Sequence, residues 1–175
     1  MSAGFYGKIP ARGDFVRGGL AADVIDELDQ WMRACLIESQ DALGDAWLDC
    51  WMEAPVWRFV TTIGAARLGG VWMPSMDKVE RCFPLVIATE AVMAGPAWMV
   101  AAEAAGFDAV TADVTPDRLA LRLVGIPADP CDPLSGMWWT DGAPRKRAAR
   151  IMLDGLPDPA GFALFLTDRN TGPGL

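Results

Sequence analysis

The sequence predicts an α+β fold: one domain in which a central, mainly antiparallel sheet is flanked by helices. Three observations predict it. Apolar residues recur at helical spacing across residues 23–43. Three strand-like runs between Val56 and Thr89 are joined by links too short for crossover helices, which favours an antiparallel meander. The second half then reads mostly helical.

In chain order, residues 5–9 are short, apolar and aromatic, and read as a strand. Residues 10–14 (Pro-Ala-Arg-Gly-Asp) read as a loop. Within 23–43, Val24, Leu28, Trp31, Met32, Cys35, Leu36 and Leu43 keep helical spacing. Asp23, Asp26 and Glu27 suit the positive end of the helix dipole, and Gly44 offers a left-handed cap. Residues 56–63 carry Trp57, Phe59, Val60, Thr61 and Thr62, which fit a pleated, half-buried surface. Residues 64–70 read as a turn and 71–73 as the returning strand. The apolar run 83–89 reads as a central strand. Pro96 opens a helix ending at Gly106. Thr115 and Pro116 read as the cap and first position of a helix stopped by Gly125. Pro144 is expected to open a further helix that Gly155 ends, and 162–167 to form a last strand. With no internal repeat and no long linker, one domain is expected over 1–169, followed by a frayed tail, 170–175.

The 175 residues are 52% hydrophobic and include eight tryptophans, which excludes disorder. A net charge of -8 repels phosphate backbones and argues against nucleic-acid binding. The start, residues 1–16, has no apolar core of a secretory signal. The most apolar stretch, 86–106, is broken by Glu90, Gly95, Pro96 and Glu103 and is not expected to span a membrane. Cys35, Cys50, Cys82 and Cys131 form no C-x-x-C pair and read as reduced core residues. The chain has no histidine, so Ser-His-Asp and Cys-His catalysis and Cys/His zinc sites are excluded. Neither phosphate-binding glycine loop occurs. Carboxylate pairs remain, and Tyr6, the single tyrosine, reads as packing before catalytic acid. A cytoplasmic protein without cofactor or metal is expected.

The opening Gly4-Phe5-Tyr6-Gly7-Lys8-Ile9-Pro10-Ala11-Arg12-Gly13-Asp14-Phe15-Val16 resembles the signature of the TagF (ImpM) family. Further blocks follow in order: Asp29-x-Trp31, Ser39, Leu43-Gly44-x-x-Trp47, and Ala54-Pro55-Val56-Trp57-Arg58-Phe59. Then come Gly70-Val71-Trp72-Met73-Pro74-Ser75-Met76-Asp77, Arg81-Cys82-Phe83-Pro84-Leu85 and Met137-Trp138-Trp139-Thr140. Glu80 stands where the family pattern has a small residue, usually glycine, and Cys82 where it has an aromatic or polar one. The loop 64–70 is shorter than the pattern. The resemblance implies a fold similar to longin-type domains and a non-enzymatic accessory role in type VI secretion. It implies action after translation, mostly as a repressor of assembly, through the forkhead-associated scaffold protein of the machine. A structural subunit of the apparatus is the first alternative, and a hydrolase using Asp77 and Glu80 the second.

Most motif glycines and aromatics read as turns and core. The charged members, Lys8, Arg12, Asp14, Arg58, Asp77 and Arg81, sit in apolar surroundings where an unpaired charge is costly. Either they pair with each other, Asp77 with Arg58 or Arg81 for example, or they face a partner. Trp72 and Trp139 read as core, with exposure at a binding surface the sharper alternative. The partner site is expected from Lys8, Arg12, Asp14, Asp77 and Arg81, with 7–14 and 74–81 side by side at one end of the sheet. The basic run Arg145-Lys146-Arg147, with Arg150, is the next candidate. Oligomeric state stays open.

Overall fold

The computed structural model describes residues 3–132 and 136–168. Its first half runs β1 (Gly4–Gly7), β2 (Val16–Gly18), α1 (Ala22–Leu43), α2 (Trp47–Met52), β3 (Trp57–Ile63) and β4 (Ala66–Met73). The second half runs β5 (Leu85–Glu90), α3 (Pro96–Thr111), α4 (Pro116–Val124), β6 (Met137–Thr140), β7 (Ala149–Met152) and α5 (Ala163–Leu166). The seven strands form one sheet in the order β2-β1-β5-β4-β3-β6-β7, and every neighbouring pair is antiparallel. The α+β class expected from the sequence is therefore the observed one.

Strand alternation divides the core into two layers. Tyr6, Trp57, Phe59, Trp72, Val86 and Trp138 face α1, α2 and α5. Phe5, Val60, Val71, Met73, Leu85 and Ile87 face α3 and α4. The long helix α1 lies on one face of the sheet because its buried residues, Val24, Leu28, Trp31, Met32 and Cys35, share one side. Thr115 caps α4 as expected, its hydroxyl accepting from the Arg118 N–H at 3.4 Å.

Four expectations are corrected. Residues 66–70 are strand, and the turn is confined to Gly64 and Ala65. Gly69 and Gly70 belong to β4 because a Cβ there would lie 2.4 Å from the Ala94 Cβ and 2.3 Å from the Ile87 carbonyl oxygen. Gly106 does not end α3; a Cβ there would lie 2.4 Å from the Met73 Cε, so the glycine admits that contact. The segment opened by Pro144 is no helix: it makes a tight turn from Ala143 to Lys146 and then β7, paired with β6. The segment 162–167 is no strand: Asp158 accepts from the Ala160 N–H at 3.0 Å and starts a short helical turn that leads into α5. Long-range indoles hold this segment. Trp31 donates to the Pro157 carbonyl at 2.6 Å, Trp57 to that of Phe165 at 3.0 Å, and Trp138 to that of Gly155 at 3.1 Å.

Trp72 is 1% exposed, so it packs in the core, while Trp139 is half-buried. The tail expected to fray, 170–175, lies outside the described residues.

Candidate functional site

The chain leaving β1 and the chain between β4 and β5 lie side by side. The Lys8 N–H donates to the Pro84 carbonyl at 3.2 Å, and the Lys78 N–H to that of Arg12 at 2.8 Å. The Ser75 hydroxyl donates to the Lys8 carbonyl at 2.7 Å. Gly7 makes the crossing possible: its φ is +143°, and a Cβ there would sit 1.9 Å from the Pro84 carbonyl oxygen.

Asp77 is the hub. Its Oδ2 accepts from the Lys8 Nζ at 2.8 Å and the Arg81 Nε at 2.7 Å. Its Oδ1 accepts from the backbone N–H groups of Val79 at 3.0 Å and Arg81 at 2.9 Å. Burial pushes this carboxyl's pKa up. The Lys8 bond, the Arg81 backbone and side chain and the Val79 N–H more than offset burial, and the pKa lies well below the usual carboxylate range. A carboxylate with both oxygens doubly engaged is a fixed acceptor, which leaves it no free lone pair for general-base work. Arg58 does not reach it; that guanidinium binds Glu103 at 2.6 Å and Asp141 at 2.8 Å.

The five charged residues expected at the site thus separate by role. Lys8 and Asp77 are buried and form an internal strut, with the Lys8 ammonium 4.9 Å from the Phe15 ring centroid. Arg12 and Asp14 are exposed, and neither side chain has a partner among the described residues. The Arg81 side chain is 61% exposed although its Nε holds Asp77, and its Nη2 donates to the Gly13 carbonyl at 2.5 Å. Lys78 and Val79, also exposed on this loop, were not singled out by sequence.

Beside these loops runs an apolar groove of about 300 Å³, walled by Pro10, Trp51, Met52, Val56, Met76 and Phe107. Met52 and Phe107 are 57% and 58% exposed. The groove was missed in the sequence because five separate stretches of chain supply it: the links after β1, before β3 and after β4, together with α2 and α3. Two of its wall residues, Val56 and Met76, lie in the motif blocks 54–59 and 70–77.

Tyr6 donates to Asp29 at 2.5 Å; burial, then this bond, pushes its pKa up and makes it a fixed donor. Among the described residues every buried side-chain nitrogen and oxygen has a partner, and no cluster of three metal-ligating side chains occurs. Cys35 and Cys50 are buried, Cys82 and Cys131 half-buried, and all four are free thiols. No helix among the described residues is long and apolar enough to cross a membrane. The basic run is largely tied down: Arg145 binds Glu53 at 2.6 Å and Lys146 binds Asp168 at 2.6 Å.

The model of the TagF N-terminal domain, described as type VI secretion system-associated, matches residues 4–125. Among solved structures the chain is similar to PA0076 from Pseudomonas aeruginosa PAO1, with a TM-score of 0.87 and 28% identity. The likeness covers 99% of this chain and 98% of that one. No curated protein gives a significant match.

Proposed function

This chain belongs to the TagF family, and from that premise we propose that it is a non-enzymatic, cytoplasmic regulator of type VI secretion assembly. It binds the forkhead-associated scaffold protein of the machine and holds assembly back. The observation that carries the reading is the build of the sheet end. A buried Lys8–Asp77 strut fixes two motif loops, and those loops present Arg12, Asp14 and Arg81 outward beside an open apolar groove. Loops held on a rigid scaffold are where binding residues collect. An exposed arginine whose geometry is set by a buried carboxylate, as Arg81 is by Asp77, suits recognition of carboxylate or phosphate groups on a protein surface. Asp77, the carboxylate a hydrolase would need, is occupied by its four donors.

Purified scaffold protein and isothermal titration calorimetry test the proposal. Arg12→Glu is expected to melt like the parent and to bind the scaffold at least about ten-fold more weakly, the equivalent of about 1.4 kcal/mol. Arg81→Ala is expected to weaken binding with a modest stability loss. Unchanged affinity in both variants places the interface elsewhere. No affinity in the parent rejects the scaffold as partner.

A further inference from the structure

The sheet ends on β7, and among the described residues no strand pairs with its outer edge. The Leu153 N–H donates to the Gly136 carbonyl at 2.9 Å. With the β6–β7 register, this makes Trp138↔Ile151 and Thr140↔Ala149 the hydrogen-bonded pairs. The backbone N–H and C=O groups of Arg150 and Met152 therefore point away from the sheet. Among the described residues no hydrogen bond reaches them.

Side chains at this edge are sorted by the same alternation. Ile151 joins Trp138 on the α1 side. Arg150 and Met152 fall on the other face, opposite Trp139 and Met137. There Met152 is 64% exposed, Trp139 is half-buried, and Arg150 is exposed with no ion-pair partner among the described residues. Two residues before the strand the Arg147 side chain is 91% exposed, with a single 3.2 Å contact to Asp168. An open ladder edge, apolar contacts beside it and two outward arginines thus coincide in a chain whose net charge is -8. Edge strands of soluble proteins carry such features either to block pairing or to select one partner for it.

We infer that β7 accepts an extended acidic segment of a partner protein as an eighth strand. The outward groups of Arg150 and Met152 supply the main-chain bonds. Arg150 and Arg147 select carboxylates on the incoming strand, and Met152 with Trp139 receives an apolar side chain. A second copy of this chain is the poorer occupant. Antiparallel self-pairing centred on Arg150 sets two guanidinium groups opposite each other, and each copy brings a charge of -8. This surface lies across the sheet from β1, so the inference stands or falls independently of the loop site.

Amide exchange read by NMR on the full chain tests it with three short synthetic peptides. The first repeats Glu-Thr-Val-Thr, so that Glu and Val alternate along one face as Arg150 and Met152 do, the second has Lys in place of Glu, and the third is the acidic peptide with a central Pro. The acidic peptide is expected to slow exchange at Arg150 and Met152 by about ten-fold or more, and less so at high salt. The Lys and Pro peptides should leave exchange unchanged. Arg150→Glu should abolish the protection with the spectrum otherwise native. Met152→Pro, which removes an outward N–H that β6 does not use, should do the same. Three results overturn the inference: unchanged exchange with the acidic peptide, equal protection by the Lys peptide, or protection without peptide that rises with protein concentration. The last would make a second copy the occupant.

Discussion

The Lys8 ammonium and the Asp77 carboxylate meet at 2.8 Å, with side chains 8% and 0% exposed, across 69 positions of sequence. The pair joins the two loops on which the exposed arginines ride. Removing one partner leaves a buried, uncompensated charge, which typically costs about 3–5 kcal/mol. Lys8→Ala and Asp77→Ala are each expected to lose about that much in urea unfolding. The double variant should lose clearly less than the sum. Additive losses would mean that the two side chains do not interact.

The same carboxylate gives the fold an acid dependence with a definite sign. Its folded pKa is depressed, so its stabilisation is complete above the unfolded carboxyl value, about 4. The stabilisation is lost as pH falls below that value toward the folded pKa. Asp77→Asn should therefore be much less stable than the parent at neutral pH, and the gap should narrow as pH falls below about 4. Urea midpoints across that range check it; a constant gap would remove Asp77 as the titrating group.

Glu80 has a φ of +64°, the only positive value among described residues other than glycine. The turn closing on Asp77, in which the Glu80 N–H donates to the Asp77 carbonyl at 3.0 Å, thus holds a left-handed residue that carries a side chain. A side chain in that region costs about 1–2 kcal/mol, of which glycine's greater unfolded freedom returns about 0.5–1. Glu80→Gly should gain about 0.5–1 kcal/mol in urea unfolding, and Glu80→Val should lose stability.

How much of this was legible depends on whether the determining contact is local. The helices at α1 and α4 announce themselves through periodicity and caps, because both signals lie within the element. Gly69 and Gly70 read as a turn, since composition cannot show that Ala94, Phe59 and Ile87 close on them. The segments 144–155 and 162–167 were misread because their partners are remote. Trp57 reaches Phe165 across 108 positions and Trp31 reaches Pro157 across 126. At the site, charges in apolar surroundings foretold ion pairing, with Lys8 and Arg81 among the donors and Asp77 among the acceptors, but not that Lys8 would be buried together with Asp77. The groove was illegible because which side of α3 is left uncovered is decided by the sheet beneath it.

The thiols separate by depth. Cys35 and Cys50 are buried, and burial pushes the Cys35 thiol pKa up, away from the reactive thiolate. With a thiol-reactive disulfide reagent at neutral pH, Cys82 and Cys131 should be modified in the folded protein, Cys35 and Cys50 only on unfolding. Equal reaction of all four without denaturant would contradict the packing of α1 and α2.

The groove supplies the sharpest separation of binding from folding. Phe107 is 58% exposed on α3 and Met52 is 57% exposed on α2, so neither contributes a buried contact whose loss would unfold the chain. Apolar anchors near the centre of an interface commonly cost 2 kcal/mol or more when truncated, roughly thirty-fold in affinity. Phe107→Asp is expected to melt within a few degrees of the parent and to lose about that much affinity for the scaffold protein. Leu164→Asp is the control: Leu164 is equally exposed, at 57%, but lies on α5 against the opposite face of the sheet. It should bind like the parent. If Phe107→Asp and Leu164→Asp behave alike in calorimetry, the groove is not part of the interface. The arginines of the loop cluster would then bind without an apolar anchor, and binding should weaken steeply as salt rises. If Phe107→Asp alone loses affinity while Arg12→Glu keeps it, the partner is held by apolar contact, and salt should have little effect.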